Sequence, residues 1–220
     1  MPEVPTDAAA LAPISPEEPC GPDLDLAGDA EFLNFVAATE GALPGNYYDF
    51  RRESIDFPAA LQTAEKLLRR TLDVRLLVLL AKLSILNRDV AGFARWMASI
   101  AWLLRAHWDE ANPRAERGDY SARLGQLMTL GDSAVVLLPL QYAPLLETQR
   151  DGALTYRARL VAAGVVQPRA VTRMNARGEQ ETSAEEKFIS AKSVERLLRE
   201  IEVEALSRAV AMLRGLAAAV

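Results

Sequence analysis

The sequence predicts an all-α protein: a multi-helix antiparallel bundle with a proline-rich extended strip ahead of it and at most one small β-hairpin. Three observations predict it. Between Ile55 and Pro113, apolar residues such as Leu67, Leu68, Leu76, Leu80, Leu83, Phe93, Met97 and Leu104 recur at intervals of three and four, the period of a helix with a buried face. The polar breaks between these stretches are only a few residues long, which makes successive helices antiparallel neighbours. Half of the 220 residues are hydrophobic and a quarter are charged, enough for a sizeable core with an ordinary globular surface.

Taken in order, residues 1–12 offer little to pack and read as a disordered tail. The strip that follows, PISPEEPCGPDLDLAGDAEF, has Pro16, Pro19 and Pro22 to stiffen the backbone and Gly21 to permit a turn beside Cys20. Pro19, Cys20 and Gly21 form its candidate structural motif. Asp29 caps a short helix expected to reach about Thr39, stopped by Gly41. In the loop that follows, Tyr47, Tyr48 and Phe50 are read as anchors to the core rather than as a stacking platform.

Asp56 caps the first helix of the central stretch, and Pro58 is tolerated in its first turn. Asp73 caps the second helix, Arg88-Asp89 marks the next connection, and Asn112-Pro113 is expected to end the third. Helices are predicted from about Tyr120 to Leu130, from Asp132 towards Leu138, and from Arg157 to Gly164. Asp151-Gly152 suggests a hairpin turn between short runs. Residues 166–182 have no sustained period and read as a linker. The capping box Ser183 to Glu186 opens a final helical segment, 183–220, whose apolar stripe from Val194 to Leu216 packs on the body or on a second copy. The domain proper is placed at 13–165.

The aliphatic run Leu76 to Leu86 is about half the roughly 20 residues a bilayer requires, and Lys82 interrupts it, so no membrane insertion is expected. One cysteine forbids an internal disulfide framework, and a cytoplasmic location is expected. The net charge of −5 is unevenly spread: residues 1–50 hold ten acids and no Lys or Arg, leaving 25 basic against 20 acidic groups in the rest. The candidate partner-binding residues follow from that asymmetry. Glu17, Glu18, Asp23 and Asp25 form an acidic leading strip, and Arg157, Arg159, Arg169, Arg173 and Arg177 form a basic segment without acids. Nucleic acid is the alternative partner of the basic segment, but only Tyr156 is there to stack and no reading motif is present.

Catalytic, cofactor-binding and metal-binding residues are not expected. His107 is the only histidine and Cys20 the only cysteine, which rules out a multi-histidine or multi-cysteine zinc site. One lies in a proline-rich turn and the other near a helix end, so a reactive Cys–His pair is not expected either. No phosphate-cradling, dinucleotide or serine-hydrolase motif occurs. Trp96, Trp102 and Trp108 fall six apart and cannot share one helix face, so at least one is expected at an edge.

The strip PISPEEPCGPDLDLAGDAEF, the helices DFPAALQTAEKLLRRTLDVRLLVLLAKLSI, the segment ending HWDEANP, and LLPL with TYRARLVAAG occur in the order found in a known family. Across about residues 13–165 the chain resembles the ImpA-related N-terminal domain family of type VI secretion TssA proteins. Pro13 to Gly21 is the most specific element, and His107 stands where the family more often has an aromatic residue. The resemblance implies a non-enzymatic, cytoplasmic assembly protein, possessing no cofactor and recruited to the inner-membrane face. Its partners would be protein subunits of a contractile secretion apparatus: baseplate, tube, sheath or membrane complex.

Overall fold

The computed structural model describes residues 11–148, 152–174, 180–184, 192, 194–196, 211 and 214. Two compact units divide at Leu140, the second running from Gln141 to Ala209. Most of the expected N-terminal tail, the Asp151 turn residue, Arg177, Glu186 and nearly all of the final helix lie outside the described residues.

The first unit is helical, as predicted. Its elements are α1 (Ala30–Ala42), α2 (Phe57–Leu68), α3 (Val74–Leu86), α4 (Val90–Ala106) and α5 (Ser121–Met128), followed by a π-helical turn (Ser133–Leu137) and a short α6 (Leu138–Tyr142) that reaches the second unit. Helix starts follow local chemistry. Asp29, Asp56, Asp73, Asp89 and Asp132 each accept a backbone N–H from the first turn they precede, removing one of the orphan donors of a helix start.

The centre of this unit is α3. Every residue from Leu76 to Leu86 is buried, as is Val74, so the helix has no wet face and α1, α2, α4 and α5 pack round it. Only Asn87, Arg88 and Asp89 join α3 to α4, and Arg88 takes φ of 64° to make the reversal. Lys82 is carried inward with its helix, and burial lowers its pKa against the opposing pull of Glu40 and Asp132. Around this core α2 buries Phe57, Ala64, Leu67 and Leu68, one side of an amphipathic helix. In α4, Trp96 and Trp102 are buried, whereas Trp108, beyond the helix end, is 38% exposed.

Two boundaries differ from expectation. Helix α1 runs through Gly41 to Ala42, because a glycine with ordinary helical geometry only weakens a helix. Helix α4 ends at Ala106, well before Asn112-Pro113. His107 is its C-cap, and the chain turns back there, the His107 carbonyl accepting the N–H groups of Glu110 and Ala111. The Asn112-Pro113 peptide is cis.

In the second unit β1 (Pro144–Thr148) pairs antiparallel with β2 (Gly152–Thr155), the hairpin expected around Asp-Gly. Thr155 caps α7 (Tyr156–Ala162), and Gly164 follows with φ of 70°. Leu154 and Val194 are buried there, with Leu146 and Ala162 packed against them. A second antiparallel pair, β3 (Ala170–Met174) with β4 (Gln180–Ala184), is additional to the single hairpin expected; it falls in the stretch read as a linker except for Ser183 and Ala184, which were expected to open the final helix and instead pair with Val171 and Ala170. Helical periodicity was absent there because the pairing is between strands.

Candidate interaction surface

The leading strip is a closed structure. Ile14 N–H donates to the Pro19 carbonyl at 2.8 Å, Gly21 N–H to the Glu18 carbonyl at 2.9 Å, and Glu18 N–H to Ser15 Oγ at 2.9 Å. Gly21 has φ of 65°, and a Cβ there would stand 2.6 Å from the Arg70 carbonyl oxygen. The Pro-Cys-Gly motif is therefore a turn pressed against the end of α2, and Cys20 within it has no exposed surface.

Asn112 fastens this turn to the core. Its Nδ2 lies 2.9 Å from Thr71 Oγ1 and 3.0, 3.2 and 3.4 Å from the carbonyls of Pro22, Gly21 and Cys20. The Asn112 backbone bridges Leu72 and Val74, while Leu72 N–H donates to the Cys20 carbonyl at 2.8 Å. Three segments remote in sequence thus meet at the start of α3. Behind them Arg123 is buried, its Nη atoms donating to the carbonyls of Trp108, Ala111 and Pro113 while its guanidinium stacks near the Trp108 and Tyr120 rings.

The predicted acids divide sharply. Asp23 and Asp25 are bound to Arg75, whose Nη2 is 2.7 Å from Asp23 and 2.7 Å from the fully buried Asp73, and whose Nη1 is 2.5 Å from Asp25. Burial disfavours the Arg75 charge, but its bonds to Asp73 and Asp23 prevail and hold its pKa above the ordinary arginine value. Asp73 is pushed up by burial, with a small contribution from the Asp23 charge, against the opposing effect of its bonds to Arg75. Glu18 faces Arg114 at 3.5 Å, and Glu17 is exposed. A continuous free acidic strip is therefore not what the fold presents: half of it neutralises an internal arginine. Further along, Asp29 and Glu31 bind Arg70, and Glu31 also binds Lys66.

Among the described residues an open cleft of about 410 Å³ lies beside α1, α3 and α5, lined by residues including Phe32, Leu33, Val36, Glu40, Arg75 and Gln126. Leu33 is 40% exposed, Leu26 in the preceding strip 72%, and α5 exposes Leu124 and Met128. The predicted basic residues belong to the second unit. Arg157 donates to the Gln167 carbonyl at 3.0 Å and lies over the Tyr142 ring, Arg159 is exposed, Arg169 is half-buried, and Arg173 falls in β3.

Residues 11–132 match the family model described as ImpA, N-terminal, type VI secretion system. The chain belongs to that family. A curated relative, type VI secretion system component TssA1 of Pseudomonas aeruginosa, is 30% identical over 159 residues, covering 70% of this chain and 46% of its own. The chain thus spans less than half of that relative's length. A solved structure is also similar: the N-terminal domain including the conserved ImpA_N region of the TssA component from Burkholderia cenocepacia. It has a TM-score of 0.63 and 25% identity, and covers 95% of this chain and 76% of the other. The matched region is the helical first unit as far as the turn before Ser133, the part that contains strip, Asn112 clasp and cleft.

Arg75, Asn112 and Arg123 escaped the sequence reading. Arg75 did leave a signal, since a cation in the first turn of a helix opposes the helix dipole and calls for an acidic partner. The other correction concerns Cys20 and His107, read as unrelated. A ligand atom of each, with one of the Glu110 carboxylate, lie within 4.8 Å of one another, and His107 Nδ1 is 2.7 Å from Glu110 Oε2. Burial, helped by the Glu110 charge, pushes the Cys20 thiol up to about 11 despite Arg114 and Arg123. At neutral pH it is a protonated thiol and a poor nucleophile. Among the described residues no helix is long and apolar enough to cross a membrane.

Proposed function

We propose that this ImpA-family chain is a non-enzymatic docking module of a type VI secretion apparatus, cytoplasmic, and that it grips another protein subunit of that apparatus through the α1–α5 face. The observation that carries this reading is the cleft itself: it places the half-exposed apolar Leu33 and Val36 beside the acidic Glu40 and opposite Ala122 and Gln126 of α5. Apolar side chains ringed by charge suit a protein surface better than a small polar substrate. The buried ion pairs and the Asn112 clasp give the face a rigid back, so that docking requires little ordering of the domain. Baseplate, tube, sheath and membrane-complex subunits are the partners in view, because the family and its relatives are described as type VI secretion components.

The test is co-purification of the full chain with each of those subunits from the same organism, repeated with Leu33→Glu and with Val36→Glu. Capture of one subunit, lost in either variant while helical circular dichroism is kept, is the expected result. Capture of none, or capture indifferent to both substitutions, overturns the reading.

A further inference from the structure

The strip and the end of α4 place a thiol, an imidazole and a carboxylate together at a point the docking reading does not use. Cys20 comes from the Pro-Cys-Gly turn, His107 is the C-cap of α4, and Glu110 lies in the reverse turn that follows. Their ligand atoms lie within 4.8 Å of one another. Tetrahedral zinc, with bonds of about 2.0–2.3 Å, sets its ligands roughly 3.3–3.7 Å apart, so closing the set takes about 1 Å of side-chain movement. Glu110 is the freest of the three to adjust, because its side chain is 51% exposed. The His107 ring packs edge-on to the Trp102 ring at 5.5 Å between centroids, and its present 2.7 Å contact from Nδ1 to Glu110 would give way to the ion.

The geometry points to Cys20, His107 and Glu110 as a binding site for a single divalent transition-metal ion of the zinc class, with water as the remaining ligand. The donor set is one soft sulfur, one imidazole nitrogen and one carboxylate oxygen, a combination that suits zinc or cobalt and not magnesium or calcium. Its charge also fits. A thiolate and a carboxylate together cancel a divalent cation, and the proton that Cys20 gives up leaves to solvent past the exposed Glu110. The ion would join the leading turn directly to the end of α4, beside the Asn112 clasp.

Cobalt titration of the full chain at mildly alkaline pH tests this. Cys20 is the only cysteine, so a near-ultraviolet thiolate-to-cobalt charge-transfer band, saturating at one ion per chain and displaced by zinc, can arise only from it. The band should be absent when the chain is unfolded in urea. His107→Gln and Glu110→Gln should each weaken cobalt binding by at least about tenfold, with far-ultraviolet circular dichroism unchanged. Cys20→Ala should abolish the band; should that variant fail to fold, the two others decide the matter alone. No charge-transfer band with excess cobalt overturns the proposal. So does a band whose midpoint neither His107→Gln nor Glu110→Gln moves.

Discussion

Replacing Arg75 by methionine removes the cation that three carboxylates share while keeping much of its aliphatic volume. Asp73 is wholly buried and Asp23 nearly so, with 6% of its side chain exposed, so both would be left as charges in a poorly hydrated place. Removing one partner of a buried pair costs about 3–5 kcal/mol. The Asp25 contact adds little, because that side chain is 45% exposed and its charge is screened by water. With a urea dependence of about 2 kcal/mol per molar, the midpoint should fall by about 1.5–2.5 M at pH 7. The loss should also depend on pH in a definite sense. Asp73 has a folded pKa above its unfolded value, and loss of the arginine raises it further. The charge on such a group costs stability above the folded pKa, and that stability returns as pH falls through it. The gap between the variant and the natural protein should therefore narrow from pH 7 towards the ordinary carboxylate range. Urea unfolding followed by tryptophan fluorescence at several pH values measures both effects. A loss under about 1 kcal/mol at pH 7, or one that does not shrink on acidification, would refute the assignment of Arg75 as the charge holding this junction together.

Gly21→Ala should cost at least about 2 kcal/mol in the same unfolding measurement, because the residue combines positive φ with a backbone oxygen that cannot move away from the new methyl group; a change within about 0.5 kcal/mol contradicts the turn described. The Asp29–Arg70 pair predicts the opposite pH sense to Asp73. The side-chain bond from Arg70, and then the Phe32 N–H, hold the Asp29 carboxyl below its ordinary value, so its contribution is present above the unfolded pKa and lost as pH falls through the folded one. Arg70→Met should bring the acid-unfolding transition to higher pH, read by circular dichroism, and an unmoved transition counts against the pair.

Local rules made much of the fold legible. An aspartate before an apolar-periodic run marked the starts of α1 to α4, and the unbroken apolar character of Leu76 to Leu86 marked the helix that every neighbour covers. The end of α4 was not legible, because Asn112-Pro113 is a valid stop signal and the actual stop depends on carbonyl-bonded turns and on Arg123 gathering three backbone oxygens. The leading acids looked like a free surface since their partner is some fifty positions away. Strand pairing of β3 with β4 left no period-two hydrophobic alternation to read in AVTRM and QETSA. The cleft was invisible for the same reason as the Cys20–His107–Glu110 cluster: both are made by helices and turns that converge only after folding.

The clasp between Cys20 and Asn112 also has a dimension in time. The two residues are 92 positions apart, so on a ribosome adding about 5–20 residues per second the leading strip waits roughly 5–18 s for the amide that will hold it. The α3–α4 hairpin, whose connection is three residues, can close as soon as it has left the exit tunnel. During that interval Cys20 lacks the burial that later pushes its thiol up to about 11, and it is as open to oxidants or electrophiles as any cysteine on an unfolded chain. Docking of the strip ends that exposure, so the nascent chain is the form in which this cysteine is chemically vulnerable.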